Sequence, residues 1–267
     1  MNSETLREKI RSYKYDNGSS SAAKSGMISK KPVRRSKRQS AVVSTPDSLP
    51  GLKDLPPSIP QKATVLFIGF NPGVESSKRQ HHYAHPTNLF WKLFNASGVL
   101  ESVLTVRDKR EDRKSNLFKK IFPDGICRIK PAHDYELSAL GIGFTDLCLR
   151  CTKQASELSI QEKLANVPRL FTEFIFSRAP FIVVVGKGIW EVIVKSIDPK
   201  HKLTSFTWGK QRSSIIILAI HALCKYEPSV YVFPNTSGLV ALMKYAEKLQ
   251  LWQNLAQDIS GSKATVE

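Results

Sequence analysis

The sequence predicts an α/β fold with a largely parallel central sheet, and three observations support this prediction. Apolar runs at 65–70 and 181–185 have the length and composition of buried strands. Each run ends in a glycine-containing turn, Asn-Pro-Gly at 71–73 and Gly-Lys-Gly at 186–188. Segments with helical character follow both turns, and this alternation of strand, turn and helix is typical of βαβ units.

The remaining predicted elements continue the same alternation. A helix is predicted from near Pro86 to Gly98, because proline favours the first helical turn and glycine the position past the end. Ser159 and Glu162 form a capping-box pattern that opens a second helix. The others are a short strand at 142–147, a helix at 189–196, strands at 213–220 and 230–233, and a helix from 237 onward.

The composition indicates that this chain is basic and that its partner is a polyanion. The 267-residue chain has a formal net charge of +17 and 41% hydrophobic residues, enough for a sizeable core. No run approaches about 18 consecutive apolar residues, and the N-terminus lacks the apolar stretch of a signal peptide. We therefore expect an intracellular protein that binds nucleic acid rather than a membrane.

The cysteine pattern does not predict a metal centre. The chain has four cysteines, of which Cys148 and Cys151 form the single close pair. A structural zinc or iron–sulfur site needs a second pair or equivalent ligands, and none is spaced to supply them. We expect free, structural thiols in a reducing compartment and no metal or other cofactor.

The chain divides into a tail, a folded domain and a short C-terminal end. Residues 1–60 are rich in Ser, Lys, Arg and Pro, and this composition predicts a disordered basic tail. Within it, 30–38 holds six cations in nine residues. This run is read as a nuclear import signal, a DNA tether or merely a solvated segment, and a nuclear location is expected. The domain is predicted over 61–256 and a flexible C-terminus over 257–267.

The segment 101–135 is predicted to be a surface insertion in this domain. It is dense in charges of both signs, which favours a solvated helix over a DNA contact.

Several motifs, in order along the chain, carry a resemblance to a known family. GFNPG at 69–73, HHYAHPTNLFWK at 81–92 and FPNTSGL at 233–239 resemble the motifs of the mismatch-specific uracil/thymine-DNA glycosylase family. Segments 141–152, 184–191 and 208–211 also resemble that family. The resemblance covers about 63–255 and implies a three-layer α/β/α fold of the uracil-DNA glycosylase type.

The resemblance implies a catalytic residue and a base-binding pocket. Asn71 would hold a water by hydrogen bonds in line with the sugar carbon, since an amide cannot act as a general base; the alternative is a simple turn-forming Asn-Pro. Tyr83 would stack on the flipped base, unless its ring only packs on the fold. The residues expected to line the rest of the pocket are Gly69 and Phe70 by their main chain, His82, Thr145 and Asp146. Asp146 stands where the family has Lys or Asn, a difference that bears on base preference.

The loop after β-strand 230–233 would supply the DNA wedge. By resemblance, Leu239 fills the gap left by the flipped nucleotide, and the alternative is that it begins the apolar stripe of a helix. The residues expected to form this loop and read the opposite base are Asn235, Ser237, Gly238, Leu239 and Val240. Phosphate contacts are expected from Lys187 and Thr236.

Together these features predict a monofunctional DNA glycosylase. It would hydrolyse the N-glycosidic bond of uracil, and of thymine or damaged bases in a broader form of the prediction, opposite guanine in duplex DNA. The protein would act as a monomer and without a cofactor. Two alternatives are a glycosylase with broader specificity that also accepts single strands or hypoxanthine, and a catalytically silent mismatch or abasic-site binder.

Overall fold

A computed structural model describes residues 6–8, 51–107, 115–238 and 243–262. Its centre is a five-stranded sheet in the order β2-β1-β3-β5-β4. The strands are β1 (Val65–Gly69), β2 (Ile142–Asp146), β3 (Phe181–Val185), β4 (Gly209–Lys210) and β5 (Ser229–Phe233). All neighbours are parallel except β4, which pairs antiparallel with β5. The predicted α/β class with a mostly parallel sheet is confirmed.

Helices connect the strands and cover both faces of the sheet. They are α1 (Val74–Arg79), α2 (Phe90–Ser97), α3 (Val99–Val106), α4 (Asn116–Ile121), α5 (Ile160–Ser177), α6 (Lys187–Ile197), α7 (Ile215–Cys224) and α8 (Tyr245–Gly261). Short 3-10 turns at Pro131–His133 and Glu136–Leu140 precede β2, and another at Ala155–Glu157 precedes α5. The Ser159 hydroxyl accepts from the Glu162 amide at 3.0 Å, so α5 begins where its capping pattern predicts.

The two faces of the sheet bury different cores. One is mostly aliphatic and lies against α5, α6 and α7; we call it the aliphatic face, and it includes Ile68, Val184 and Ile193. The other lies against α2, α3 and α8 and contains a cluster of rings; we call it the aromatic face. There the Phe67 ring stacks with Trp252 at 5.4 Å and meets Phe90 edge-on at 5.2 Å.

The parallel register brings the ends of the long strands to one edge. Gly69 pairs with Asp146, and Val185 pairs with Phe233. Adjacent strands lie about 4.8 Å apart, so the turns after β1 and β5, with β3 between them, begin about 10 Å from each other. This carboxyl edge is where ligands of parallel α/β sheets bind.

The prediction of a strand at 213–220 is wrong, because this segment forms helix α7. An apolar run of this kind does not distinguish a strand from a buried helix. Ser214 resolves the ambiguity by accepting from the Ile217 amide at 3.3 Å, which caps a helix. Ile215 and Leu218 are exposed on one side of that helix.

The boundaries of other segments also differ from prediction. The last helix begins at Tyr245 rather than near 237 and continues to Gly261, where Ile259 is buried, so a flexible end does not begin at 257. Residues 51–60 are not part of a disordered tail, since Ser58 exchanges main-chain hydrogen bonds with Phe144 of β2. Leu6 is buried in the aliphatic core. The basic segment 30–38 lies outside the described residues.

Part of the segment 101–135, predicted to be a surface insertion, is buried in the core. Helix α3 packs on α8, with Val103 buried. Ile121 and Ile129 are buried in the aromatic core, and Asp134 is wholly buried. The prediction gave weight to the many charged residues of this segment and not to the apolar residues between them, which are buried. Residues 108–114, in the middle of the charged run, lie outside the described residues.

Candidate active site

Asn71 follows β1 at the carboxyl edge, and its amide group is held in one orientation. Its Nδ2 donates to the Thr152 hydroxyl at 2.7 Å and to the Arg150 carbonyl at 3.1 Å. The Thr152 hydroxyl gives its own proton to the Gln154 carbonyl at 2.8 Å, so toward Asn71 it acts as an acceptor. This identifies the nitrogen of the amide from its partners. In the described part of the chain no hydrogen bond reaches Asn71 Oδ1, which is left to accept one from a water.

An ion pair fixes the segment that holds Asn71. The Arg150 guanidinium donates to both carboxylate oxygens of Glu162, at 2.7 and 2.9 Å, in a half-buried bidentate pair. Glu162 lies in the first turn of α5, and the hydrogen bond from Arg150 holds its pKa below the usual range. Helix α5 thus anchors the Arg150 carbonyl to which Asn71 donates.

Main-chain hydrogen bonds extend the pairing of β1 and β2 beyond the strand ends. The Leu147 amide donates to the Gly69 carbonyl at 2.8 Å, and the Cys148 amide donates to the Phe70 carbonyl at 3.0 Å. The carbonyls of Gly69 and Phe70, predicted to contact a base, therefore already have partners. The Phe70 ring turns toward the aliphatic side, where the Lys163 ammonium lies 5.2 Å from its centroid.

Tyr83 occupies the aromatic side of the edge in a strained backbone conformation. Its φ of 53° is in the left-handed region, which side chains other than glycine rarely adopt. Flanking hydrogen bonds hold it there: the Ala84 amide donates to the Ser76 hydroxyl at 3.2 Å, and Trp91 Nε1 donates to the His82 carbonyl at 3.0 Å. The ring stacks on Phe90 with centroids 3.8 Å apart and an interplanar angle of 2°.

A buried carboxylate orients the histidines beside Tyr83. Asp134 Oδ2 accepts from the main-chain amide and from Nδ1 of His82, both at 2.8 Å. Its Oδ1 lies 2.8 Å from His81 Nδ1 and accepts from the Tyr135 amide at 2.8 Å. Burial alone would raise the pKa of Asp134, but these hydrogen bonds hold it below its ordinary value. Because His82 Nδ1 faces a carboxylate it carries a proton, and Nε2 is directed elsewhere.

Asp146, at the end of β2, places its carboxyl group directly over Gly69. A Cβ at position 69 would lie 2.0 Å from Asp146 Oδ1 and 3.1 Å from the Tyr83 hydroxyl. Gly69 is therefore required by this close approach and not by its own φ. Burial raises the pKa of Asp146 to about 6, and His82 and Arg169 oppose the shift.

Two further polar atoms near Asp146 are buried without partners. In the described part of the chain, no hydrogen bond reaches His82 Nε2 or the Tyr83 hydroxyl. Burial, with a smaller contribution from Asp146, raises the pKa of Tyr83 well above its ordinary value, so the hydroxyl keeps its proton. Buried polar atoms without partners are rare in folded proteins. Their position beside Asp146 makes this cluster of Gly69, His82, Tyr83 and Asp146, called the pocket below, a candidate site for an external polar group.

Thr145 lies on the other face of the sheet. Its hydroxyl donates to Glu173 at 2.9 Å and accepts from Arg169 at 3.3 Å, on the aliphatic side. Adjacent residues of a strand point to opposite faces, so Thr145 and Asp146 cannot line the same pocket by their side chains. The expected base contact through Thr145 is not supported by this packing, and its hydroxyl supports the strand end.

The loop after β5 packs against the start of α2, beside the Tyr83 segment. The Leu89 amide donates to the Thr236 carbonyl at 2.9 Å, and a Cβ at Gly238 would lie 2.6 Å from the Thr87 hydroxyl. Asn235 Oδ1 accepts from the Ser237 amide at 2.8 Å and thereby folds the loop into a turn. Leu239 and Val240, the expected wedge residues, lie outside the described residues.

Lys248 anchors this loop from α8. The buried Lys248 ammonium donates to the Asn235 carbonyl at 3.1 Å, and burial lowers the pKa of the lysine. Thr236 is also buried, so the expected phosphate contact through its side chain is not supported. Lys187 is half-exposed and pairs with Glu191 at 3.5 Å.

The cysteines are buried free thiols. Burial raises the pKa of Cys148 to about 12. Across residues 6–8, 51–107, 115–238 and 243–262, no group of three or more His, Cys, Asp or Glu side chains is arranged to hold a metal ion. The same part of the chain contains no helix that is both long enough and apolar enough to cross a membrane.

The structure adds residues that sequence reasoning did not assign. Asp134 binds His82 across 52 positions of the chain, and Thr152 binds Asn71 across 81. Asp134 lay in a charged run interpreted as surface, and Thr152 carried no distinguishing pattern. The capping box at Ser159 and Glu162 was a usable signal, because it places the Glu162 carboxylate at a fixed helix start.

Comparison with known proteins agrees with this architecture. The model of the family described as the Uracil DNA glycosylase superfamily matches residues 56–256. A Schizosaccharomyces pombe protein named G/U mismatch-specific uracil DNA glycosylase is 26% identical over 218 residues, which are 81% of this chain and 57% of the relative. The chain thus corresponds to little more than half of that relative's length. Because the family match spans most of its length, this chain belongs to the Uracil DNA glycosylase superfamily.

Proposed function

We propose that the protein is a monofunctional DNA glycosylase that releases uracil mispaired with guanine from duplex DNA. The observation that carries the proposal is the fixed Asn71 amide, whose donors are engaged by Thr152 and Arg150 while its oxygen has no partner among the described residues. A fixed acceptor of this kind can hold a water in line with the sugar carbon. The name of the Schizosaccharomyces pombe relative supports the choice of substrate.

The reaction needs little more than positioning. The N-glycosidic bond breaks with both electrons going to the base, and the water held by Asn71 attacks the sugar carbon and loses a proton to solvent. Asn71 does not act as a base, since an amide does not take up a proton near neutral pH. Flipping the nucleotide costs a few kcal/mol and costs least at a mismatch, which favours a mispaired base as the substrate.

The aromatic side of the edge suits a flipped pyrimidine. Tyr83 is braced by Phe90 on one side and is held in its conformation by neighbouring hydrogen bonds. A base stacked on an aromatic ring gains about 1–3 kcal/mol without strong selection of sequence. The loop at 234–238 adjoins the same region through Leu89, which supports its role in the DNA contact.

The test uses labelled duplexes carrying G·U, G·T and A·U pairs and a single strand carrying uracil, each treated with alkali after incubation. We expect release from G·U and at least about 100-fold slower release by Asn71→Ala, a loss of about 2.7 kcal/mol in transition-state stabilisation. Asn95→Ala is the matched control, because the Asn95 amide binds Ile129 in the core and should affect stability only.

The alternatives give different results in this experiment. Equal release from single strands and G·U would favour the broader glycosylase, whereas binding without release by the unmodified protein would indicate a silent mismatch binder. Failure to release uracil from any substrate would overturn the proposal. Release of thymine from G·T decides whether the 5-methyl group is tolerated.

A further inference from the structure

The Asp146 carboxyl group lacks a partner in a place where a carboxylate needs one. Asp146 as a residue is 6% exposed, and its carboxyl group lies over Gly69 at the end of β2. In the described ranges no hydrogen bond or ion pair to this carboxyl group is present, although its main-chain carbonyl accepts from Arg169. An isolated ionised carboxylate is costly to bury, so the group favours its neutral form.

The neighbouring arginine and histidine make their hydrogen bonds to groups other than the Asp146 carboxyl group. Arg169 donates to Glu173, to Thr145 and to the carbonyls of Asp146 and Leu147. His82 directs its protonated Nδ1 to Asp134. Neither therefore supplies a hydrogen bond that would stabilise an ionised Asp146. Geometry, independently of any titration, thus favours a protonated carboxyl group.

The neighbouring polar atoms indicate that the pocket completes its hydrogen bonds with a ligand. The Tyr83 hydroxyl and His82 Nε2 are buried without partners in the described structure. The hydroxyl and Asp146 Oδ1 lie 3.1 and 2.0 Å from the same point above Gly69. A flipped base presents hydrogen-bonding atoms along one edge and could satisfy several such groups together.

We propose that Asp146 recognises the flipped base as a neutral carboxylic acid, donating its proton to a base carbonyl and accepting from the adjacent ring N–H. This inference rests on the proposed function and specifies how the base is read. A carboxylic acid offers one donor and one acceptor side by side, the same pair that an amide side chain offers. An ionised carboxylate offers acceptors only and would repel the carbonyl oxygen.

The recognised chemistry is a ring N–H beside a carbonyl group. Uracil has this arrangement, as does hypoxanthine. The proposal therefore covers deaminated bases as a class and makes their recognition depend on one proton. Excision should fall as pH rises and Asp146 ionises.

The electrostatic surroundings of Asp146 are defined by every element packed around it. The titratable and charged groups that interact electrostatically with it are His82, Tyr83 and Tyr135, together with Cys148, Arg169 and Glu173 from the opposite face of the sheet. Burial raises the pKa of Asp146 to about 6, with His82 and Arg169 lowering it from the value that burial alone would set. The proton is thus lost close to neutral pH in the free protein.

The first test compares pH profiles of single-turnover uracil release from a G·U duplex between pH 5.5 and 8.5. We expect the rate constant of the unmodified protein to fall at least tenfold from pH 6 to 8.5. Asp146→Asn keeps its donor at every pH, so its rate constant should vary less than threefold. Asp258→Asn is the matched control, since Asp258 on α8 pairs with Lys210 of β4, at the edge of the sheet opposite β2; its profile should follow the unmodified protein.

A second measurement uses the unmodified protein alone and is independent of whether a variant folds. Replacing uracil by 2-pyridone leaves only C–H groups where uracil has its ring N–H and its 4-carbonyl. Neither form of the Asp146 carboxyl group can pair with these positions, so the fall in rate with pH should disappear. Parallel profiles for Asp146→Asn and the unmodified protein, or an unchanged fall with 2-pyridone, would overturn the inference and leave the proposed function standing. If uracil is released at no pH, the proposed function itself fails.

Discussion

The polar side chains at the end of β2 have hydrogen-bond partners on one face of the sheet and lack them on the other. On the aliphatic face, Thr145, Arg169 and Glu173 form a buried network in which each side chain has a partner. On the aromatic face, the adjacent residue Asp146 has none among the described residues, and His82 Nε2 and the Tyr83 hydroxyl are also unpaired. A satisfied network stabilises the strand end, whereas unpaired groups reduce stability and prepare a binding site.

The difference arises from the alternation of side chains along one strand. Arg169 reaches across the end of β2 and donates to the carbonyls of Asp146 and Leu147, so the satisfied network on one face positions the backbone of the unpaired Asp146 carboxyl group on the other. A carboxyl group needs such support if it is to be held without partners of its own. The comparison therefore predicts that substitutions on the two faces change stability in opposite directions.

The largest effect is expected in the satisfied network on the aliphatic face. Arg169→Ala leaves Glu173 buried without its cation and should lower the free energy of unfolding by about 3–5 kcal/mol. Burial already raises the pKa of Glu173, and loss of Arg169 would raise that pKa further. Chemical denaturation at pH 7 measures the loss. Lys120→Ala, which breaks an exposed pair with Glu136, is the control and should change stability by less than about 1 kcal/mol.

An Arg169→Met, Glu173→Leu double variant tests the same network from the other side. Removing both charges avoids leaving either one buried alone, so most of the stability should return. A loss as large as that of Arg169→Ala would show that packing of the arginine, and not its charge, stabilises this face.

An intermediate effect of opposite sign is expected for Asp146→Asn. The pKa of Asp146 is raised from 3.8 to about 6 in the folded protein, so the folded state binds the proton more tightly than the unfolded state. The stability that the protonated Asp146 carboxyl group contributes is fully present below pH 3.8. It is lost as pH rises through about 6 and the group ionises in the folded protein. A difference of about two pKa units corresponds to about 3 kcal/mol. Asparagine does not ionise and so does not lose stability as pH rises. The free energy of unfolding of the variant should therefore exceed that of the unmodified protein by about 2–3 kcal/mol at pH 8.

The measurement is denaturation of both proteins at pH 4, 6 and 8. The advantage of Asp146→Asn should be largest at pH 8 and should shrink as pH falls to 4. An advantage that stays constant over this range would mean that Asp146 does not change its charge there, and the two faces would then differ less than proposed.

The sequence predicted the fold well where apolar runs were bounded by turn residues. Strands β1 and β3 were identified because each apolar run ends in a glycine-containing turn. Helix α7 was misread as a strand because its isoleucines have high strand propensity and its cap, Ser214, is also common in turns. A local sequence pattern is thus sufficient to identify a strand or a helix when the bounding turn residues and the composition of the run indicate the same element.

Much of the site depended on contacts that no local pattern contains. Asn71, Tyr83 and Gly238 were recognisable from short motifs, and their roles remain predictions. Asp134 was not recognisable, since its partner His82 lies 52 positions away. Thr145 and Asp146 point to opposite faces because side chains alternate along a strand. This could be predicted from the sequence only once both residues were assigned to β2.

The smallest effect separates two tyrosines, one on each face. The Tyr83 hydroxyl is buried without a partner in the described structure, whereas the Tyr226 hydroxyl donates to the Phe174 carbonyl at 3.1 Å on the aliphatic side. Replacing a buried unpaired hydroxyl by hydrogen removes a desolvation cost, so Tyr83→Phe should raise stability by about 1 kcal/mol. Tyr226→Phe removes a made hydrogen bond and should lower stability by about 1 kcal/mol. Thermal and chemical denaturation of both variants at one pH measures the sign. Equal destabilisation would mean that Tyr83 has a partner in solution, such as a bound water, and that the aromatic face is satisfied before any base arrives.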